Sequence, residues 1–322
     1  MLLRIGNMRG VDLALIDTDF DLTWNALFLT PEGRTLGRFG GRDADTPAKY
    51  HTLGGLKHSL TENLKRFRAG DRKPPKPLMP IYAEDYPAAD KLPANACIHC
   101  HHVNEFRREF LRSRDEWSLE NAWVYPQPEN LGLTIDPEQG NRVTHVQPNS
   151  SAAKAGISAK SLLTRVAGQP IAAVMDLQYA LHQSPKAGKL EVAWHDGERE
   201  HRQIITLSNG WRMTDVSWRW SLKTMAPNPG IIGDDLDADS RKSLGLMPKQ
   251  LAYRHMNFLT PAARHAGLQA NDIIVGLNDQ ALTMTARQFE THIRLHHRVG
   301  DELSLNVLRG KAKLKLKLKL GE

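Results

Sequence analysis

The chain has 322 residues, 40% of them hydrophobic and 25% charged, with a formal net charge of +7. That length has room for two or three domains, and the balance is that of a folded globular protein, which excludes a disordered chain. No apolar run reaches the length of about 18 residues that a membrane-spanning helix needs.

The opening Met1-Leu2-Leu3-Arg4-Ile5-Gly6 lacks the apolar core and cleavage site of a signal peptide. In chain order, Leu2 to Met8 reads as a strand. Thr23 to Leu29 reads as a buried strand, Pro31-Glu32-Gly33 supplies a turn, and Arg34 to Phe39 returns as the hairpin partner. Gly40-Gly41 breaks the chain. An amphipathic helix is expected from about Thr46 to Phe67, with Tyr50, Leu53, Leu56, Leu60, Leu64 and Phe67 near helical spacing.

Strand, hairpin and closing helix is the order of the second half of a thioredoxin fold. The stretch DLTWNALFLTPEGRTLGRFGGRDA resembles the thioredoxin-like segment of a bacterial family that joins such a segment to PDZ domains. The resemblance covers half a thioredoxin. Its first strand, first helix and redox-active cysteine pair would lie upstream of Met1, where a signal peptide would also belong.

Residues 68–95 form a linker, because Lys73-Pro74-Pro75-Lys76-Pro77 and Leu78-Met79-Pro80 are too rich in proline for helix or central strand. A helix is expected to open near Asn95, with Val103, Phe106, Phe110 and Leu111 on one side. Both cysteines of the chain fall at its start, in Cys97-Ile98-His99-Cys100-His101. Cys-x-x-Cys-His is the attachment signature of c-type haem: two thiols one turn apart add to the vinyl groups, and the next residue offers its imidazole to the iron. Cys97 and Cys100 would then hold haem c and His101 would be its axial ligand. Met79, in the proline-rich linker, is the candidate second ligand, with His51, His58 and His102 as rivals. Two other readings stand beside it. Cys97 and Cys100 have the spacing of a thiol-exchange or structural disulfide pair, and His99, Cys100 and neighbouring histidines could hold zinc. Haem attachment implies an exported, periplasmic chain with a redox partner protein.

From Pro128 a pattern appears twice, about 110 residues apart. ENLGLTI, RVTHVQPNSSAAKAGI, SLLTRVAGQPI, VMDLQYALHQS and KLEVAWHDGEREHRQIITL make the first copy. PGIIGDDL, PAARHAGLQANDIIVGLNDQAL, TARQFETHIRLHH and ELSLNVLRGKAKLKLKLKL make the second. Both resemble the PDZ domains of HtrA-type proteases. The resemblance implies a loop whose N–H groups face a peptide carboxylate, beside a strand edge that accepts an added strand. Leu131, Gly132 and Leu133 take that place in the first copy, and Gly230, Ile231 and Ile232 in the second. Lys160-Ser161 replaces the usual turn pair, which the second copy keeps as Asn271-Asp272.

Much of the positive charge sits in Lys311, Lys313, Lys315, Lys317 and Lys319, alternating with leucines. Period two reads as a half-buried strand with a lysine-lined solvent face, not a nucleic-acid site. No Gly-x-Ser-Gly-like nucleophile loop precedes residue 125, so the chain is not expected to be a serine protease. The expected architecture is α+β: a partial thioredoxin-like segment (1–70), a linker and Cys-x-x-Cys-His helix (71–124), a PDZ-type domain (125–208), a linker (209–226) and a second PDZ-type domain (227–322). The expected role is docking of peptides or protein C-termini joined to haem redox chemistry, or a binding adaptor in which the cysteines are structural, thiol-redox or metal ligands.

Overall fold

A computed structural model describes residues 1–70 and 79–321. The chain divides into two compact units, Met1–Thr214 and Asp215–Glu322. Most of the proline-rich run of the expected linker, including Pro74, Pro75 and Pro77, lies outside the described residues.

The first unit opens without regular structure. Residues 1–8 form no strand, contrary to the expectation from Leu2 to Met8. They are used differently: Met8 donates its N–H to the Ile98 carbonyl at 2.8 Å, and Asn7 Oδ1 accepts from Ile98 N at 3.0 Å. The hairpin follows as β1 (Ala26–Leu29) and β2 (Thr35–Phe39), antiparallel. The helix α1 (Leu53–Arg68) begins later than the apolar spacing predicted, because Thr52 caps it by accepting the Gly55 N–H at 3.0 Å. Tyr50 is therefore off the helix. The next helix, α2 (Cys100–Ser113), starts at the second cysteine instead of near Asn95.

Met8, Leu13, Phe20, Ala83, Ile98, Val103 and Phe106 share one buried cluster. Residues on both sides of the expected boundary at 70 thus build the floor under α2. It is a small core in its own right and not a linker.

The rest of this unit, where the first PDZ-like copy is expected, comprises β3 (Leu133–Ile135), β4 (Val143–Val146), α3 (Ser151–Lys154), β5 (Leu162–Val166), β6 (Gln169–Pro170), α4 (Val174–His182), β7 (Gly188–His195) and β8 (Glu200–Leu207). Strands β3 and β4 pair as one sheet, and β6-β5-β7-β8 form another. Leu133, Ile135, Val143, Leu163, Val166, Leu177, Leu181, Leu190 and Val192 fill the space between them and α4.

The second unit repeats the plan. After α5 (Trp220–Lys223) come β9 (Gly233–Asp235), α6 (Ala238–Ser243), β10 (Tyr253–His255), α7 (Pro261–His265), β11 (Ile273–Leu277), β12 (Gln280–Ala281), α8 (Ala286–His296), β13 (Glu302–Arg309) and β14 (Ala312–Lys319). The sheet order is β14-β13-β11-β10-β9, with β12 on β11. Along β14 the lysines are exposed while Leu314 and Leu316 are half-buried and Leu318 is buried, as period two requires. The paired positions Lys160 and Asn271 both have positive φ, 74° and 67°, so Lys160-Ser161 serves the same turn as Asn271-Asp272.

Candidate functional site

In the second unit, Gly230, Ile231 and Ile232 lead into β9. Gly230 has φ +65°, and a Cβ there would meet Thr260 Oγ1 at 2.8 Å. The loop turns its carbonyls into the fold. Thr260 Oγ1 donates to Gly230 O at 2.5 Å, Tyr253 Oη to Ile231 O at 3.2 Å, and Met256 N to Ile232 O at 2.8 Å. With the carbonyls directed inward, the N–H groups of Ile231 and Ile232 have no hydrogen-bond partner among the described residues. Among the described residues strand β9 pairs with β10 alone, which leaves its other edge without a strand partner there. Helix α8 forms the facing wall. Asp235 accepts the Ala286 N–H at 3.0 and 3.1 Å through its two oxygens, and Glu290 accepts from the Tyr253 hydroxyl. Burial, then the Glu290 charge, raise the Tyr253 hydroxyl pKa far above its ordinary value, so it stays a donor. Beside the β9–β10 pair lies an open depression of about 480 Å³, whose lining includes Arg254, Met256 and Phe258.

Neither Tyr253, Asp235 nor Glu290 was legible as a groove residue. The signal available was the Thr260-Pro261 helix start, which fixes Gly230 through the Thr260 hydroxyl.

The first copy is arranged alike but dressed differently. Gly132 has φ +84°, and its N–H is spent on Glu129 O at 2.9 Å. Leu131 and Leu133 are buried. Among the described residues strand β3 pairs only with β4. On α4, Gln178 Nε2 donates to Arg42 O at 3.0 Å and to Gln127 Oε1 at 2.9 Å. Asp176 accepts from Arg38 N at 2.7 Å, Ala172 N at 3.0 Å and Ala173 N at 3.1 Å. Complete burial outweighs those three donors and pushes its carboxyl up to about 6.

At the Cys-x-x-Cys-His helix, Cys97 and Cys100 are both exposed, and Ile98 between them is fully buried. Ile98 is anchored between them, with Cys97 just before α2 and Cys100 at its first residue. His101 Nδ1 lies 2.5 Å from Glu105 Oε1, one helical turn on, and His102 Nδ1 accepts from His99 N at 3.2 Å. His101, His102 and Glu105 each bring a ligand atom within 4.8 Å of the others, a spacing one metal ion can bridge. Met79 is 87% exposed, so packing does not aim its sulfur at His101. His51 packs instead against Trp24 and Phe39, with ring centroids 5.5 and 6.5 Å away.

Residues 252–320 match the family model for the PDZ domain. The second unit carries a PDZ domain. The PDZ-bearing chain is also similar to HtrA-type proteases. It is 29% identical over 151 residues to the periplasmic serine endoprotease DegP of Escherichia coli K12, covering 47% of this chain and 29% of that one. To the periplasmic pH-dependent serine endoprotease DegQ of the same strain it is 26% identical over 146 residues, covering 45% and 30%. A solved structure titled HtrA-type protease AlgW with decapeptide aligns at 15% identity and a TM-score of 0.25, covering 41% of this chain and 48% of that one. The match spans less than a third of the DegP and DegQ chains.

Proposed function

We propose that this is a non-proteolytic docking protein whose PDZ domain captures the C-terminus of a peptide or partner protein. One observation carries the reading: the unpartnered N–H groups of Ile231 and Ile232 sit at the head of the open edge of β9. Such N–H groups hold a carboxylate, while the strand edge supplies main-chain hydrogen bonds to the residues before it. DegP and DegQ are periplasmic by name, which supports an exported location for this protein. The test is fluorescence polarisation with a C-terminal peptide library on the full chain. Free-acid peptides should bind and their C-terminal amides should lose about tenfold or more in affinity, since the charge-assisted bonds go with the carboxylate. Equal binding of acid and amide would overturn carboxylate capture.

A redox reading is favoured by the geometry of α2. Cys97 and Cys100 are exposed, and His101 follows them directly on α2 with its Nδ1 beside Glu105 Oε1. These residues fit haem c, which would supply one-electron exchange with a redox partner. The competing occupant is a metal ion on His101, His102 and Glu105. Coexpression with cytochrome-maturation machinery followed by a haem stain on a denaturing gel, with metal analysis of the same sample, separates the two. Stained protein that loses its colour in a Cys97→Ser, Cys100→Ser variant supports haem. Unstained protein carrying stoichiometric metal overturns it.

A further inference from the structure

We infer that the first PDZ-type groove is filled in cis: residues 38–52 of the chain occupy the cleft between β3 and α4 as a built-in ligand. The segment touches both walls. On the α4 wall, Arg38 N reaches Asp176 and Arg42 O reaches Gln178. The backbone comes so close there that a Cβ at Gly41 would lie 2.6 Å from Gln178 Oε1. On the β3 wall, Lys49 pairs with Glu129 at 3.7 Å, just before the loop. Thr52 Oγ1 donates to Pro137 O at 3.1 Å, just beyond the end of β3. The segment thus runs out along α4 from its N-terminus and returns beside β3, from the loop side to the strand's far end, packing on the cleft without a ladder to β3.

Between those two contacts stands Tyr50, which is 2% exposed and belongs to the same buried cluster as Leu131, Leu133, Ile135, Leu177 and Leu181. An aromatic side chain sunk among loop, strand and helix residues is how a groove holds an anchor of its ligand. The second copy shows what differs. Its helix positions matching Gln178 and His182 are Glu290 and Arg294. Glu290 meets Tyr253, and Arg294 donates to Met225 O and Pro227 O in the chain leading into its own loop. Cis filling of the first groove makes the chain monovalent for outside peptides and uses the first copy to clasp the N-terminal region.

The inference rests on reading residues 125–208 as a PDZ-type groove, and its test is separate from peptide capture by the second copy. The probe is a fluorescein-labelled peptide of residues 38–52, added to the full chain and to a Tyr50→Asp variant, with hydrogen exchange followed across the same residues. The wild type should not bind the probe. The variant should expose the segment, speeding its exchange by about tenfold or more, and bind the probe in trans. A probe carrying Ala in place of the tyrosine should fail. Should Tyr50→Asp not fold, Lys49→Glu with Thr52→Val removes two contacts and spares the core, and the same exchange and binding are expected in reduced measure. A folded variant whose exchange is unchanged, or which exposes the segment yet ignores the probe, would overturn cis filling. Binding of free-acid library peptides at Gly230–Ile232 is expected to be the same in both proteins, so its loss would count against the docking proposal alone.

Discussion

The Tyr253 hydroxyl donates to the Ile231 carbonyl at 3.2 Å, across the base of the second groove. The same hydroxyl faces the Glu290 carboxylate on α8. One side chain thus fixes the loop that carries the free N–H groups and sets its distance from the opposite wall.

Tyr253→Phe keeps the ring and removes that tie. It should cost about 1–2 kcal/mol of stability, because the Glu290 carboxylate and the Ile231 carbonyl lose a buried donor. Peptide affinity should fall more than the stability loss alone explains, since the loop is no longer held. Denaturant melts and titrations of the same preparation check both.

The two loop glycines should not be equally tolerant. At Gly132 a Cβ would come 2.2 Å from Ser150 Cβ, whereas at Gly230 the nearest atom is Thr260 Oγ1 at 2.8 Å, so less has to give. Both have positive φ, which costs any L-residue about 1 kcal/mol or more. Gly132→Ala should therefore destabilise clearly more than Gly230→Ala, as thermal melts of the two variants would show.

Lys160 holds φ 74° at a turn where its counterpart in the second copy is Asn271. Asn and Gly adopt that conformation with less strain. Lys160→Gly should stabilise the first unit by up to about 1 kcal/mol, offset in part by the greater freedom of glycine in the unfolded chain. A lower melting temperature would contradict this account of the turn.

Asp272 is buried and takes both its oxygens to the Arg309 guanidinium, at 2.8 and 2.7 Å. Burial alone would raise its carboxyl, but the guanidinium and the Gln269 N–H outweigh burial and hold it below the ordinary value. A carboxyl depressed on folding adds stability above its unfolded pKa of about 3.9, and that stability is lost as pH falls through the lower folded value. Amide exchange in β11 and β13 should accelerate as the pH drops below about 4, beyond the intrinsic trend. In Asp272→Asn that extra dependence should vanish, with a cost of about 1–3 kcal/mol at neutral pH.

Much of this protein was legible because local rules and tertiary needs agree. The alternating Lys315-Leu316-Lys317-Leu318 could only be a one-sided strand, and β14 is one. The repeat of short helix, glycine and strand announced two copies of one plan, and residues 252–320 match the PDZ domain. The hairpin over 26–39 followed from its turn residues. The boundaries were less legible. Tyr50 and Leu53 continue a helical spacing that the Thr52 cap interrupts, since apolar periodicity cannot show where the backbone turns from one core to another. Leu2 to Met8 looked like a strand for want of any partner in view.

What the sequence determined alone was the set of elements and the chemical types on offer: two thiols and a histidine at one helix start, and two glycine loops before two strands. Which of those groups face solvent, and which are already spoken for, was decided by contacts between residues far apart in the chain. Gln178 meets Arg42 across 136 positions and Asp176 meets Arg38 across 138. No local pattern encodes such pairings, because a hydrogen bond depends on where the fold brings two groups and not on how far apart they are written.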